Sequence, residues 1–143
     1  MKIIEKTVQQ YTFKDDNIDP VHVWIDEWAK EENNKKRFQG RIVIVCYGVA
    51  LNYYFDSMGC PMKDFILKCD TGYLLNKFEI NIQETMRPRA YNLSFDENEN
   101  VISEENTEVS IKIPDFQKKY IKRIIETIKC GFREILTKGG LNE

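Results

Sequence analysis

Arg41-Ile42-Val43-Ile44-Val45-Cys46-Tyr47-Gly48-Val49-Ala50-Leu51-Asn52-Tyr53-Tyr54-Phe55-Asp56 is the stretch on which the fold turns. Its odd positions from Val43 to Phe55 are all apolar or aromatic. Its even positions begin Ile42, Ile44, Cys46 and then become Gly48, Ala50, Asn52, Tyr54 and Asp56. A period of two sends successive side chains to opposite faces of a strand, whereas a helix would scatter them around its axis. The segment therefore reads as one long strand, buried along one whole face and along only the first half of the other. Gly48 marks a bend or bulge where the small-residue half begins.

Downstream, Asp56 to Pro61 reads as a turn. Phe65, Leu67 and Cys69 alternate as a short strand, and Leu74, Phe78, Ile80 and Ile82 as the next. Arg87-Pro88-Arg89 interrupts, Tyr91, Leu93 and Phe95 alternate again, and Val101-Ile102 forms a strand stub. Val109, Ile111 and Ile113 make a last strand before Pro114. Upstream, residues 2–13 read as a first strand and Lys14 to Asn17 as a polar turn. Asp19-Pro20 then looks like a helix start, since Asp accepts from orphan N–H groups and Pro at the first position forfeits no bond. Val21, Trp24, Ile25 and Trp28 follow at i, i+3, i+4 and i+7, one apolar stripe on a helix of about 20–34.

The C-terminal end carries a second strong period. Tyr120, Ile121, Ile124, Ile125, Ile128, Phe132, Ile135 and Leu136 fall within an arc of roughly 160° at about 100° per residue. Gly131 lies inside that arc, where a missing side chain lets the backbone approach the sheet. Lys118, Lys119, Lys122, Lys129 and Arg133 occupy the opposite arc, and Gly139-Gly140 ends the helix. The reading is a single α+β domain over 1–143. It has an antiparallel meander of about five to six strands, one short N-terminal helix (about 20–34) and one long C-terminal helix (about 115–137) packed on one face.

That order of strand, short helical segment, antiparallel meander and long terminal helix resembles the helix-grip fold of START and Bet v 1-like proteins. The resemblance implies a sheet wrapped on the last helix around a cavity for a small apolar ligand. It lies in element order across most of the chain.

At 143 residues, 42% hydrophobic and 31% charged, the composition is globular and sufficient for a core without disulfide or metal staples. A formal net charge of −2 argues against a nucleic-acid partner. No apolar run reaches the roughly 18 to 20 residues that span a bilayer, and Met1-Lys2-Ile3-Ile4-Glu5-Lys6 lacks a secretory apolar region. A cytoplasmic protein with reduced thiols is expected. Its four cysteines, Cys46, Cys60, Cys69 and Cys130, show no CxxC spacing.

No catalytic constellation stands out. His22 is the only histidine; a helix would set it one turn from Asp26, a two-ligand half-site that binds metal weakly. No nucleophile elbow, GxGxxG, P-loop, EF-hand or HExxH pattern occurs. Paired carboxylates such as Glu31-Glu32 sit in segments that look exposed, without the burial that tunes general acids and bases. Cys60, in a turn, and Cys130, beside cations on the last helix, are the thiols most open to reaction. The expectation is a non-enzyme without cofactor or metal.

Charge is distributed unevenly. Asp115 to Lys138 holds seven Lys or Arg against three acids, while Asp96 to Glu108 holds six acids and no base. Such asymmetry steers partners. Tyr54, Arg87 and Arg89 on a half-open sheet face match interface composition. The expected function is therefore a protein-binding domain of inhibitor, immunity or adaptor type. Its partner-binding candidates are Glu104, Glu105, Glu108, Tyr54, Arg87, Arg89, Lys119, Lys122 and Arg133. The alternative is a helix-grip-like carrier of a small apolar ligand. An edge strand such as 2–13 or 107–113 offers a route to a homodimer.

Overall fold

A computed structural model describes residues 1–85, 89–95, 97, 98, 101–108 and 113–141, with 83–85, 89–95, 101–108, 140 and 141 at the level of the backbone. Four strands, β1 (Gln9–Asp15), β2 (Ile18–Glu32), β3 (Lys35–Cys46) and β4 (Val49–Met58), form an antiparallel sheet in sequence order. Helices α1 (Met62–Lys68) and α2 (Thr71–Thr85) follow. A separate two-stranded sheet then pairs β5 (Arg89–Phe95) with β6 (Val101–Glu108), and α3 (Asp115–Leu141) completes the chain. The α+β class, the antiparallel sheet and the long last helix stand as read from the sequence.

The segment 41–56 is two strands rather than one. Cys46 pairs with Val49 across a turn at Tyr47-Gly48, so even positions of β3 meet odd positions of β4 on one face. Ile42, Ile44 and Cys46 are buried there beside Leu51 and Phe55, whereas Val43 and Val45 face the other way. The parity change near Gly48 was the mark of a hairpin.

The N-terminal helix of about 20–34 is corrected to strand. β2 pairs with β3 from Val21↔Cys46 through Glu32↔Lys35, and turns at Asn33 (φ 52°) and Asn34 (φ 62°). Two adjacent positive φ values match the type I′ hairpin, which favours Asn and suits the sheet's twist. Val21, Val23 and Ile25 are fully buried at a period of two, and these β-branched residues suit a pleated surface. Asp19 and Pro20 lie in the irregular start of β2, where pairing shifts between Phe13 and Asp15.

Residues 65–82 are corrected in the other direction, from strands to helices. Met62 and Ile66 are buried at i, i+4 in α1, and Leu74 and Phe78 at i, i+4 in α2. The Glu27 carboxylate accepts from the Met62 N–H (2.7 Å), so a strand supplies the cap that Pro61 cannot. Asp70 opens α2, its side chain accepting from the Gly72 N–H at 2.8 Å and its carbonyl from Leu74 at 3.2 Å.

The core lies between one sheet face and the helices. Ile121, Ile124, Ile125, Ile128 and Phe132 of α3 are all buried against it. Each such side chain contributes roughly 1.5–3 kcal/mol before entropy. Gly131 sits where a Cβ would come within 2.4 Å of the Phe13 ring. Phe13 in turn packs edge-on to Phe132 (5.7 Å) and stacks with Tyr11 (6.0 Å). The helix runs on through Gly139 and Gly140 to Leu141 instead of ending at them. Of the last sequence-read strand, Ile113 is buried and lies outside any strand, while 109–112 lie outside the described residues.

Candidate functional site: the open sheet face

The helices cover one face of the four-stranded sheet, and no helix among the described residues covers the other. Alternation decides what it displays. In β2 the residues alternating with the buried Val21, Val23 and Ile25 are His22 and Trp24, and Asp26 and Trp28 continue the row. Register brings Trp24 opposite Val43, which lies opposite Asn52; Asp26 opposite Arg41, which lies opposite Tyr54; and Trp28 opposite Gln39.

Trp28 and Tyr54 stack across the sheet with centroids 6.0 Å apart and planes 29° apart, and both are about two-fifths exposed (38% and 39%). The Trp28 indole donates to Gln39 Oε1 at 2.9 Å. Gln39 is buried, and its amide donates to the Asp56 carbonyl at 3.0 Å, so the indole is held by a side chain that cannot move freely. Arg41 lies 5.9 Å from the Tyr54 ring and Lys6 lies 5.5 Å from the Trp28 ring, with Lys6 also bonded to the Asp26 carboxylate. The result is a row of cation, indole, phenol and guanidinium. His22 Nδ1 lies 3.1 Å from the Thr12 hydroxyl, and its ring sits 6.1 Å from Trp24.

The sequence-read candidates do not converge on one place. Tyr54 is on the open face. Lys119, Lys122 and Arg133 are exposed on α3, across the sheet from Tyr54. Glu104, Glu105 and Glu108 lie in β6, a paired strand, with Glu105 opposite Asn92 and Glu108 opposite Arg89 in backbone register. The side chains of Arg89 and these three acids, and all of Arg87, lie outside the described residues. Trp24, Trp28 and Arg41 were missed, because the helical reading sent both indoles to the core; the Val21/Val23/Ile25 alternation was the signal that would have found them.

Several cations of α3 tie the helix down. Lys118 pairs with Glu79 at 3.1 Å, Lys129 donates to the Cys69 carbonyl, and Arg123 donates to the Asn17 carbonyl. At the other end of β3, the Tyr120 hydroxyl donates to Asp19 at 2.7 Å and lies 3.3 Å from the Cys46 sulfur. The Cys46 hydrogen bond, burial and the Asp19 carboxylate together push the Tyr120 phenol well above its ordinary value. Burial likewise raises the Cys69 thiol, against the lowering influence of Lys129.

Between the sheet and α3, the space lined by Ile42, Ile44, Ile66, Leu74, Phe78, Ile125 and Ile128 is about 10 Å³. That is about the room one water needs. The larger hollows, of about 210 and 280 Å³, are open polar grooves beside the β1–β2 turn, bordered by Asp15, Thr127 and Cys130. No helix among the described residues is long and apolar enough to cross a membrane.

A family model described as a phage family, Phage_phiTE_072, matches residues 1–134. The chain belongs to that phage family. No curated protein and no solved structure matches it. The family match covers the four-stranded sheet, all three helices except the last residues of α3, and every residue of the open face.

Proposed function

We propose that this phage-family chain is a non-enzymatic protein-binding domain of the inhibitor, immunity or adaptor kind, which engages its partner through the open sheet face. The observation that carries the reading is the Trp28–Tyr54 stack, held by Gln39 and flanked by Lys6 and Arg41. Trp, Tyr and Arg dominate interface energetics, and aromatic side chains bring large contact area at low entropic cost. Here the indole is already fixed by a buried partner, which lowers that cost further.

The same geometry favours a protein over a nucleic acid. Base binding needs an aromatic face free to stack on. The Trp28 and Tyr54 rings already face each other and their flanking cations, which leaves mainly ring edges to a partner. The ligand-carrier alternative has no comparable support, because the space under α3 is about the size of a water molecule.

The test begins with a partner isolated from phage-infected host extract by the intact chain. Its Kd is then measured for Trp28→Ala, Tyr54→Ala and Arg41→Glu, and for Lys119→Glu with Lys122→Glu as the helix-side control. Each open-face change is expected to weaken binding at least tenfold, about 1.4 kcal/mol, while the helix-side pair leaves it unchanged. The reverse pattern would move the site to α3, and no specific partner at all would remove the reading.

A further inference from the structure

The pairing of β1 with β2 stops at Gln9↔Ile25, yet β2 continues to Glu32 with β3 on its other side. Among the described residues, Asp26 to Glu32 therefore have no strand along one backbone edge. Residues 1–8 belong to no strand or helix, and Lys6 among them reaches that edge. They expose large apolar side chains: Ile3 at 84% and Ile4 at 74%. Lys6 ties the segment to β2 through the Asp26 carboxylate and the Trp28 ring.

Charge says what fits the edge. Asp26 to Glu32 carries four acids, Asp26, Glu27, Glu31 and Glu32, and one base, Lys30. Two such edges from two copies, paired antiparallel about Ala29, would set Asp26 against Glu32 and Glu27 against Glu31. Like charges directly opposite destabilise a pair of strands. The edge needs a strand with cations, and residues 1–8 supply Lys2 and Lys6. Continuing the register from Gln9↔Ile25 sets Lys6 opposite Trp28, Ile4 opposite Lys30 and Lys2 opposite Glu32. The Lys6–Trp28 contact within one chain agrees with that alignment.

We propose that two copies of the chain exchange these segments, each copy's residues 1–8 adding a fifth strand along Asp26–Glu32 of the other. Within one copy the segment leaves Ile3 and Ile4 in water. In a closed exchange the second copy covers them, Ile4 on the face it shares with Lys6 and Ile3 on the opposite one. Exchange of an identical element between protomers is a low-cost route to a dimer, and an unpaired edge is the template for it. The inference does not depend on the partner proposed above, because that partner's anchor residues and this edge are tested by different measurements.

Light scattering and sedimentation on the full chain decide it. Wild type is expected to be a dimer that dissociates on dilution, and Ile3→Asp with Ile4→Asp a monomer. Lys6→Glu and Asp26→Lys are each expected to be monomeric alone. Mixed in equal amounts, these two should form a heterodimer, because the reversed charge at position 6 of one chain meets the reversed charge at position 26 of the other, while the second crossing keeps its native pair. That recovery also shows that both variants are folded. A wild type that stays monomeric at every concentration overturns the proposal. So do single variants that stay dimeric, or a mixture that stays monomeric, the result expected if the segment served only its own chain.

Discussion

Replacing Gly131 by alanine sets two well-known effects against each other, and the structure says which prevails. Alanine favours a helix interior over glycine by about 1 kcal/mol. A Cβ at this position, however, would stand 2.4 Å from two atoms of the Phe13 ring and 2.8 Å from a third. Ordinary carbon contacts are about 3.5–4.0 Å, so the overlap exceeds an ångström. The ring is also confined, with Phe132 edge-on at 5.7 Å and Tyr11 stacked at 6.0 Å. Overpacking costs about 1–3 kcal/mol, and an overlap of this size belongs in the upper half of that range. The net expectation is a loss of about 1–2 kcal/mol, or about 2–8 °C in Tm for a chain of this length. Urea unfolding should show a lower midpoint at unchanged slope. Gly139→Ala is the internal control: nothing lies within 4 Å of its Cβ, so only the propensity gain, at most about 1 kcal/mol, should appear. In a Phe13→Leu background the cost of Gly131→Ala should shrink, giving an interaction energy of at least about 0.5 kcal/mol. If Gly131→Ala is as stable as wild type, or costs the same with and without the Phe13 ring, the close-approach argument fails.

Tyr47 occupies the β3–β4 turn at φ 50° and is 87% exposed, so its ring contributes no packing to offset a left-handed backbone. Tyr47→Asn should therefore stabilise the chain by about 0.5–1 kcal/mol in denaturant titration. Tyr120→Phe removes the hydroxyl that bonds Asp19 and meets Cys46, at a cost of about 0.5–1.5 kcal/mol at neutral pH. The raised phenol has a further consequence. Its contribution is complete below the ordinary tyrosine pKa of about 10 and falls as pH rises above it, because the unfolded chain then loses the proton first. Thermal melts between pH 9 and pH 11 should thus decline less steeply for Tyr120→Phe than for wild type, and equal slopes would contradict the assigned hydrogen bonds. In timed alkylation followed by mass spectrometry, exposed Cys130 and half-buried Cys60 should react before Cys69, whose thiol is raised by burial, and buried Cys46 last.

How far the sequence discloses this molecule depends on which residues satisfy two templates at once. The last helix satisfied one: Ile121, Ile124, Ile125, Ile128 and Phe132 have no period-two reading, and all five are buried. Residues 20–34 satisfied both. Val21, Trp24, Ile25 and Trp28 fit a helix, while Val21, Val23 and Ile25 fit a strand, and the β-branched content with Asn33-Asn34 should have weighed for the hairpin. Residues 62–82 erred the other way, since Phe65, Leu67 and Cys69 alternate while Met62/Ile66 and Leu74/Phe78 repeat every four. The helical cap there comes from Glu27, a residue far away in sequence, and local pattern cannot supply it. The open face was half legible. Ala50, Asn52 and Tyr54 marked it, but Trp24, Trp28 and Arg41 join Tyr54 only through a pairing that the helical reading had ruled out.

The consecutive order of β1 to β4 also sets a timetable for the chain during synthesis. Each strand meets its neighbour as soon as it is made, so the meander has its pairing partners once Met58 has emerged. Its apolar face then waits for Ile121 and the residues after it, and at about 5–20 residues per second that interval is about 3 to 13 s. Through those seconds Val23, Ile44 and Leu51 lack their final cover, and α1 and α2 are the helices available to shield them. Ribosome-bound chains halted before residue 115 should therefore be the form of this protein that chaperones hold longest.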